Sequence, residues 1–291
     1  MIKLYNNVPN GEEIKFESFI FKGGEQHVKL LDTDFYSVKI KLFFEQSSDL
    51  IQLALITDAL RRTGTISFCL DIPYFPAARQ DRVCNEGEPL SIKVYADFIN
   101  NLKFDKVYIF DPHSDVTPSL INNVVVVNNH RFVSNVLNFI PDKDLQNIVL
   151  VSPDAGSNKK IYDLGKRLRL DYDENLLPSV NVIRADKLRD ISNGKIIETV
   201  VYTDSLFGKI ALIVDDICSY GGTFCALAEK LKKLNADKVY LVVSHFEGVA
   251  DLQKLQDFGI DKVFTTNSKP WDMNDYNKKG FIEIYDIDQY L

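Results

Sequence analysis

Two adjacent carboxylates followed by a pair of glycines form the most chemically suggestive stretch of the sequence. The apolar run 210–214 leads into Asp215 and Asp216. The turn that follows consists of Ser219, Tyr220, Gly221, Gly222 and Thr223. The two glycines let the backbone approach an anion, and the helix predicted to follow offers free N–H groups to a phosphate. Adjacent carboxylates suit a vicinal diol, or Mg²⁺ held through water. We therefore favour a phosphorylated sugar here over an ordinary strand-to-helix turn.

Three further polar clusters follow other apolar runs. In IPYFPAARQDRV, Arg79 and Arg82 suit contacts to a phosphate or a stacked base. In IFDPHSD, His113 lies between two aspartates and is a candidate for a metal or phosphate contact. In IVLVSPDAGSNKK, Asp154 could hold a cation. Each cluster alone is also compatible with a structural histidine or a solvated charged turn.

The elements that must position these clusters alternate along the chain. Short Val/Ile-rich runs occupy residues 66–75, 107–111, 147–152, 210–216, 239–244 and 263–266. They lack period-2 alternation, which is typical of strands buried on both faces of a parallel sheet. Segments with helical spacing occupy residues 49–62, 90–102, 159–168 and 223–234, and Asp49 is expected to cap the first of them. The pattern predicts an α/β fold, whose ligands bind at the carboxyl ends of the strands.

An internal echo indicates a duplicated domain. The segment DKVYIFDPH from Asp105 closely matches DKVYLVVSH from Asp237, and each follows an amphipathic segment that ends in leucine. The separation is too long for a solenoid repeat and suits a second copy of one domain. The polar stretch 138–147 is the expected boundary, so we predict two similar α/β domains at residues 1–142 and 143–291.

Composition excludes several classes of protein. The chain has 291 residues, a formal net charge of −7 and 45% hydrophobic residues, which is typical of a globular protein with a sizeable core. No run approaches the ~20 apolar residues of a membrane span, and no signal peptide is evident. The acidic balance argues against a nucleic-acid partner. The four cysteines lack metal-ligand spacing. We expect a soluble, cytoplasmic protein with no membrane and no nucleic-acid partner.

Taken together and in order, the four polar clusters resemble those of the ribose-phosphate pyrophosphokinases, the enzymes that make phosphoribosyl pyrophosphate. IPYFPAARQDR, FDPHSD, VSPDAGSNKK and VDDICSYGGT are similar to the ATP loop, the metal-binding histidine segment, the SPDAG segment and the phosphoribosyl loop of that family. The resemblance extends from about Phe21 to the last predicted strand. It implies two tandem phosphoribosyltransferase-like domains, each a mainly parallel sheet flanked by helices. It also implies an ATP-dependent transferase of nucleotide biosynthesis, which moves the β,γ-diphosphate of MgATP to the anomeric hydroxyl of ribose 5-phosphate and releases AMP.

The resemblance also implies a role for each site residue. The residues implied for ATP binding are Phe21, Glu25, Arg79, Gln80 and Asp81. In the family, the segment equivalent to Phe21–Glu25 reaches the ATP site of a neighbouring subunit, so a homo-oligomer is expected. His113 and Asp154 would serve Mg²⁺, directly or through water. Asp215 and Asp216 would hold the ribose hydroxyls. The residues implied to wrap the 5-phosphate are Ser219, Tyr220, Gly221, Gly222 and Thr223.

A charged stretch, RADKLRD, matches a mobile loop of the family that closes over the transferred group. By position it gives Lys187 and Arg189 as the catalytic cations. Two cations there make physical sense, because the in-line transition state spreads negative charge that must be neutralised. Without the resemblance, an exposed charged turn would be the simpler interpretation.

The sequence departs from the family pattern at the phosphoribosyl loop, and three functions stay open. The family reads Asp-Thr-Cys-Gly-Thr or close to it, where this chain has Ser219-Tyr220-Gly221-Gly222-Thr223. The first function is the plain synthesis of phosphoribosyl pyrophosphate. The second is the same transfer to a larger acceptor such as ADP-ribose, with Tyr220 stacking a base. The third is a catalytically silent regulatory paralogue.

Overall fold

The computed structural model describes residues 1–171, 180–189, 196–271 and 280–291, which form two compact units. Unit 1 contains residues 1–128, 268–270 and 287–291, and unit 2 contains residues 129–267 and 271–286. The boundary predicted between residues 142 and 143 falls inside unit 2 by this division. The reason is aromatic packing, since the Phe139 ring lies 5.2 Å from that of Phe264 and 6.2 Å from that of Tyr240.

Unit 1 is built on a six-stranded sheet. Its elements are β1 (Ile2–Asn6), β2 (Glu13–Ile14), β3 (Phe16–Ile20), β4 (Gln26–Leu30), β5 (Ser37–Leu42), α1 (Ser48–Arg62), β6 (Ser67–Ile72), α2 (Ser91–Asn101), β7 (Lys106–Phe110), α3 (Val116–Leu120) and β8 (Val124–Val127). The strand order is β2-β1-β5-β6-β7-β8, with β5 to β8 parallel and β1 antiparallel to both of its neighbours. Strands β3 and β4 form a separate antiparallel hairpin.

The helices of unit 1 bury one face of this sheet. Leu53, Ile56 and Leu60 of α1 are fully buried in the same apolar cluster as Ile40 and Leu70 of the sheet. The prediction that Asp49 caps α1 is wrong. Asp49 lies inside the first turn of α1, and its carboxylate instead accepts the N–H groups of Glu45 and Gln46 that precede the helix.

Unit 2 is built on a seven-stranded sheet. Its elements are α4 (His130–Leu137), α5 (Asp142–Leu145), β9 (Ile148–Ser152), α6 (Asn158–Asp171), β10 (Asn181–Arg189), β11 (Ile196–Val201), β12 (Ile210–Cys218), α7 (Gly222–Lys233), β13 (Lys238–Phe246), α8 (Leu252–Asp257), β14 (Lys262–Thr266) and β15 (Ile282–Tyr285). The strand order is β11-β10-β9-β12-β13-β14-β15. All neighbours are parallel except β10 and β11, which pair antiparallel.

The predicted α/β class is confirmed, with two mainly parallel sheets flanked by helices. All six predicted strands and all four predicted helices are present with shifted ends. Strand β12 extends two residues beyond the predicted run, because Ile217 and Cys218 still pair with His245 and Phe246 of β13. Within the described residues, no helix is long and apolar enough to cross a membrane.

Candidate functional site

The carboxylate pair lies near the carboxyl end of β12, the central strand of the unit 2 sheet. The Oδ1 atom of Asp215 accepts the backbone N–H of Asp216 at 3.0 Å, and the two side chains are also hydrogen-bonded to each other. Burial and the neighbouring charges of Asp216 and Asp154 raise the pKa of Asp215 well above its usual range. A proton shared by this pair lowers its repulsion, and the pair can both donate hydrogen bonds to sugar hydroxyls and accept them.

The glycine pair shapes the start of α7. Gly221 has a φ of +75°, and a Cβ there would lie 2.9 Å from Cδ2 of Leu255, so only glycine fits. A Cβ at Gly222 would meet no atom within 4 Å, so that side of the turn is open. Within the described part of the chain no side chain caps α7, which leaves its first N–H groups available to an anion. Tyr220 beside them is 79% exposed.

The SPDAG segment after β9 is fixed by its two serines. The buried hydroxyls of Ser152 and Ser157 lie 2.7 Å apart, and the N–H of Ser157 donates to Oδ1 of Asp154 at 3.1 Å. The serine spacing flanks the Asp-Ala-Gly turn and could have been found in the sequence, but our sequence analysis missed both residues. These contacts leave Oδ2 of Asp154 for another partner.

That partner is Lys187 on β10. Its Nζ lies 2.9 Å from Oδ2 of Asp154, and its side chain is only 9% exposed. Burial alone would raise the pKa of Asp154, but the charge and hydrogen bond of Lys187, with the N–H groups of Ser157 and Gly156, lower it below its usual value. The site therefore contains three carboxylates and one paired lysine.

The interpretation of the segment RADKLRD as an exposed charged turn is wrong. Up to Arg189 this segment is part of a strand and not a loop. Residues 181–189 form a strand in which Lys187 pairs opposite Thr199 of β11. The antiparallel partner imposes the extended backbone. The side chain of Arg189 lies outside the described part of the structure, so its predicted role stays a prediction.

In unit 1, the structure brings together the loops that follow β6 and β7. Asp81 bonds to Arg82 at 3.2 Å and to the side chain of Ser114, and it feels the charge of His113. Burial opposes the effect, but these bonds and charges lower the pKa of Asp81 below its usual value. Asp81 thus organises the two loops, and Ser114 is a residue that sequence analysis missed although it adjoins His113. Arg79 and Gln80 are exposed on the same loop.

Phe21 and Glu25 lie at the turn of the β3–β4 hairpin. The N–H of Phe21 donates to the carbonyl of Glu25 at 2.8 Å, and Gly24, with a φ of +96°, closes the turn. The Phe21 ring lies 5.0 Å from that of Phe19, edge to face, and remains 53% exposed. The hairpin therefore presents an aromatic tip.

The candidate metal residues are distributed over both units. His113 belongs to unit 1 and Asp154 to unit 2. Across the described ranges, no group of three His, Cys, Asp or Glu side chains could hold a metal by itself. A divalent ion at either residue would need oxygens from substrate phosphates or water, which is the usual manner in which Mg²⁺ binds.

The raised pKa of Asp215 predicts a pH-dependent stability effect. Below the unfolded-state pKa of about 3.8, the Asp215 carboxyl is protonated in both the folded and the unfolded protein. As the pH rises from there toward the higher folded-state pKa, the folded protein loses stability. Asp215→Asn should therefore raise the melting temperature of the ligand-free protein at pH 8 and have less effect at pH 5. Thermal unfolding at both pH values tests this. Asp163→Asn on the exposed face of α6 is the matched control, and an equal effect of both variants would contradict the prediction.

The two glycines give a second prediction from one pair of variants. Gly221→Ala should cost ~1–3 kcal/mol, because alanine is strained at positive φ and its Cβ meets Leu255. Gly222→Ala should change the free energy of unfolding by less than ~0.5 kcal/mol or stabilise, because its Cβ meets open space in a helical turn. Denaturant unfolding of the two variants provides the comparison, and similar costs would refute it.

Comparison with known proteins identifies the family. Residues 20–102 match the N-terminal domain of ribose phosphate pyrophosphokinase, and residues 178–291 match the phosphoribosyl synthetase-associated domain. The ribose-phosphate pyrophosphokinase of Pyrococcus furiosus is 30% identical over 255 residues, covering 86% of this chain and 84% of that protein. The Vibrio cholerae ribose-phosphate pyrophosphokinase is 31% identical over 225 residues, covering 76% of this chain and 67% of its own length.

A solved structure supports the fold. The phosphoribosylpyrophosphate synthetase of Mycobacterium smegmatis superimposes with a TM-score of 0.76 at 20% identity, covering 94% of this chain and 86% of that one. The two mainly parallel sheets are thus arranged as tandem phosphoribosyltransferase-like folds, as expected. On the strength of the sequence relatives and of both matched domains, the chain belongs to the ribose-phosphate pyrophosphokinase family.

Proposed function

We propose that the protein transfers the β,γ-diphosphate of MgATP to the anomeric hydroxyl of ribose 5-phosphate, giving phosphoribosyl pyrophosphate and AMP. The observation that carries this proposal is the combination of a carboxylate pair, with Asp216 buried and Asp215 half-buried, and an uncapped helix N-terminus within one strand-turn-helix of unit 2. The first suits the ribose hydroxyls and the second suits the 5-phosphate.

The acceptor side of the reaction follows from these groups. The N–H groups at the start of α7, with the hydroxyls of Ser219 and Thr223, would bind the 5-phosphate. Asp215 and Asp216 would orient the ribose by its vicinal hydroxyls, because a pair that shares a proton both accepts and donates hydrogen bonds. Holding the sugar at both ends presents its anomeric hydroxyl to the donor in one orientation, which lowers the entropic part of the barrier.

The donor side would use Arg79 and Gln80, which are exposed on the loop that Asp81 organises. Phe21 and Glu25 would complete the nucleotide site from a neighbouring subunit, and the exposed aromatic tip of the hairpin supports this role. The protein would then be a homo-oligomer.

Mg²⁺ fits the residues present. Asp154 has a low pKa, so it is a ready carboxylate ligand, and His113 would contribute directly or through water. The ion would supply charge neutralisation at the phosphates. Lys187 would do the same at the transferred group, where a positive charge lowers the barrier of in-line transfer.

Lys187→Ala should lower kcat by about two to three decades and leave the KM for MgATP nearly unchanged, because a contact made only in the transition state does not contribute to ground-state binding. Lys166→Ala, on the exposed face of α6, is the control and should retain wild-type turnover. Steady-state AMP release measures both variants. A normal kcat in Lys187→Ala would show that the catalytic assignment is wrong.

A second function, transfer to a larger acceptor such as ADP-ribose, is favoured by one observation. Tyr220 is largely exposed beside Gly222, where a Cβ would meet nothing within 4 Å. An acceptor whose 5-phosphate continues into a second phosphate could leave the site by this open side. Incubation with MgATP and either ribose 5-phosphate or ADP-ribose, with AMP release followed against a control without ATP, separates the two. No turnover with either acceptor would favour a silent regulatory paralogue.

If ADP-ribose is the acceptor, Tyr220→Ala should lower its kcat/KM about ten- to hundredfold and leave use of ribose 5-phosphate unchanged. The reason is that stacking of an adenine on an exposed ring is worth ~1–3 kcal/mol. Parallel kinetics with both acceptors measure the effect. If the wild-type protein uses ribose 5-phosphate far better than ADP-ribose, Tyr220 has no role in acceptor choice and is a tolerated variation.

A further inference from the structure

A charged cluster lies on the second face of the unit 1 sheet, opposite the helices α1 and α2. Lys39 and Lys41 alternate along β5, and the strand register places Lys41 opposite Asp71 of β6 and Asp71 opposite Tyr108 of β7. Asp71 is fully buried, with Nζ of Lys39 at 3.3 Å from its Oδ2. Lys41 is only 3% exposed, although lysine is rarely buried without a carboxylate partner.

The partner of Lys41 comes from the segment 287–291, which belongs to unit 1 although the residues immediately before it belong to unit 2. The ammonium of Lys41 forms an ion pair with the carboxylate of Asp288. Two residues later, the ring of Tyr290 stacks on that of Phe110 at 5.9 Å and 19°. Ile287 is fully buried, and its carbonyl accepts the N–H of Tyr290, which makes the segment a compact turn.

These two contacts attach the segment to strands on either side of β6. Lys41 is on β5 and Phe110 is on β7, and the sheet order places β6 between them. Neighbouring strands are about 4.8 Å apart, so Asp288 and Tyr290 span roughly 10 Å across the sheet. The segment thus bridges the three strands close to their carboxyl ends, where β6 leads into the Arg79 loop and β7 into the His113 loop.

The loop after β7 starts in a conformation that needs support. Asp111, directly after Phe110, has a φ of +39°, which is uncommon for a residue with a side chain. Asp111 is buried, and its N–H donates to the carbonyl of Val127 at 2.8 Å. A strained residue of this kind persists only where its surroundings hold it, and the Phe110–Tyr290 stack is an adjacent restraint.

We propose that Asp288 and Tyr290 are positioning residues for the nucleotide side of the reaction, acting through Lys41 and Phe110 on the ends of β5 and β7. The inference rests on the proposed function in one respect, namely that the loops after β6 and β7 bind MgATP. The two residues touch no substrate, and their effect is on the orientation of those loops.

The fold should survive loss of either contact. In Asp288→Asn, the amide oxygen can still accept a hydrogen bond from the buried Lys41, and the negative charge of Asp71, the neighbour of Lys41 in register, still acts on its ammonium. In Tyr290→Ala, the fully buried Phe110 loses one ring neighbour but keeps its place in β7. The variants therefore separate positioning from stability.

The test measures two dissociation constants by calorimetry on the full chain, one for MgATP and one for ribose 5-phosphate, together with the melting temperature. Asp288→Asn and Tyr290→Ala should weaken MgATP binding about tenfold and change ribose 5-phosphate binding less than twofold. Tyr290→Phe keeps the stacked ring and should restore MgATP binding. Gln289→Ala, exposed in the same turn, is the matched control and should leave both constants unchanged.

Three outcomes would overturn the proposal: unchanged MgATP affinity in both variants, an equal loss of affinity for both ligands, or no MgATP binding by the wild-type protein. Absence of MgATP binding would also contradict the proposed function, in which MgATP is the diphosphate donor. Because the measurement needs no turnover, a protein that binds both ligands but forms no product would refute the proposed function and leave the positioning result intact.

Discussion

Parallel pairing around β9 is the constraint on which the site of unit 2 depends. Strand β9 lies between β10 and β12, with Ser152 opposite Arg184 and Val151 opposite Ile213. In that register β10 and β12 continue beyond the end of β9 at Ser152, so groups that are far apart in sequence meet there. The carboxylate pair, the SPDAG segment and Lys187 are consequences of one alignment, and none of them would be close together if one strand slipped by a residue.

Electrostatics then decide what this edge can do. Asp154, Asp215 and Asp216 lie near Lys187, which the structure pairs with Asp154. The pKa of Asp215 is high because its carboxylate is poorly solvated and is repelled by the neighbouring Asp216. Such a pair is unfavourable for the ligand-free fold, and a ligand that offers hydroxyls or positive charge relieves the cost. A binding site of this kind therefore lowers the stability of the ligand-free protein.

Unit 1 meets a different requirement, since the loops that follow β6 and β7 must be held in position relative to each other. Asp81 ties the two loops to each other through Ser114, and Asp111 begins its loop in a left-handed conformation. Below them the sheet carries Lys39, Lys41 and Asp71, and Asp288 of the segment 287–291 pairs with Lys41. Loop geometry in this unit is therefore supported from the sheet side.

Much of the architecture could be read from the sequence by itself. Short apolar runs without alternation determine buried parallel strands, because both faces of such strands are covered. The order of the four polar clusters indicated the family, and the glycines at 221 and 222 located the turn at the start of α7. Tertiary structure alone decided the rest. The length of β12 depends on pairing with β13, which extends the strand through Ile217 and Cys218. The partner of Lys187 lies 33 residues away in sequence, so only the folded distance reveals it. Asp288 and Lys41 are 247 residues apart, and no local pattern of charge connects them. Local propensity acts over a few residues, whereas burial and ion pairing depend on what the whole chain brings into contact.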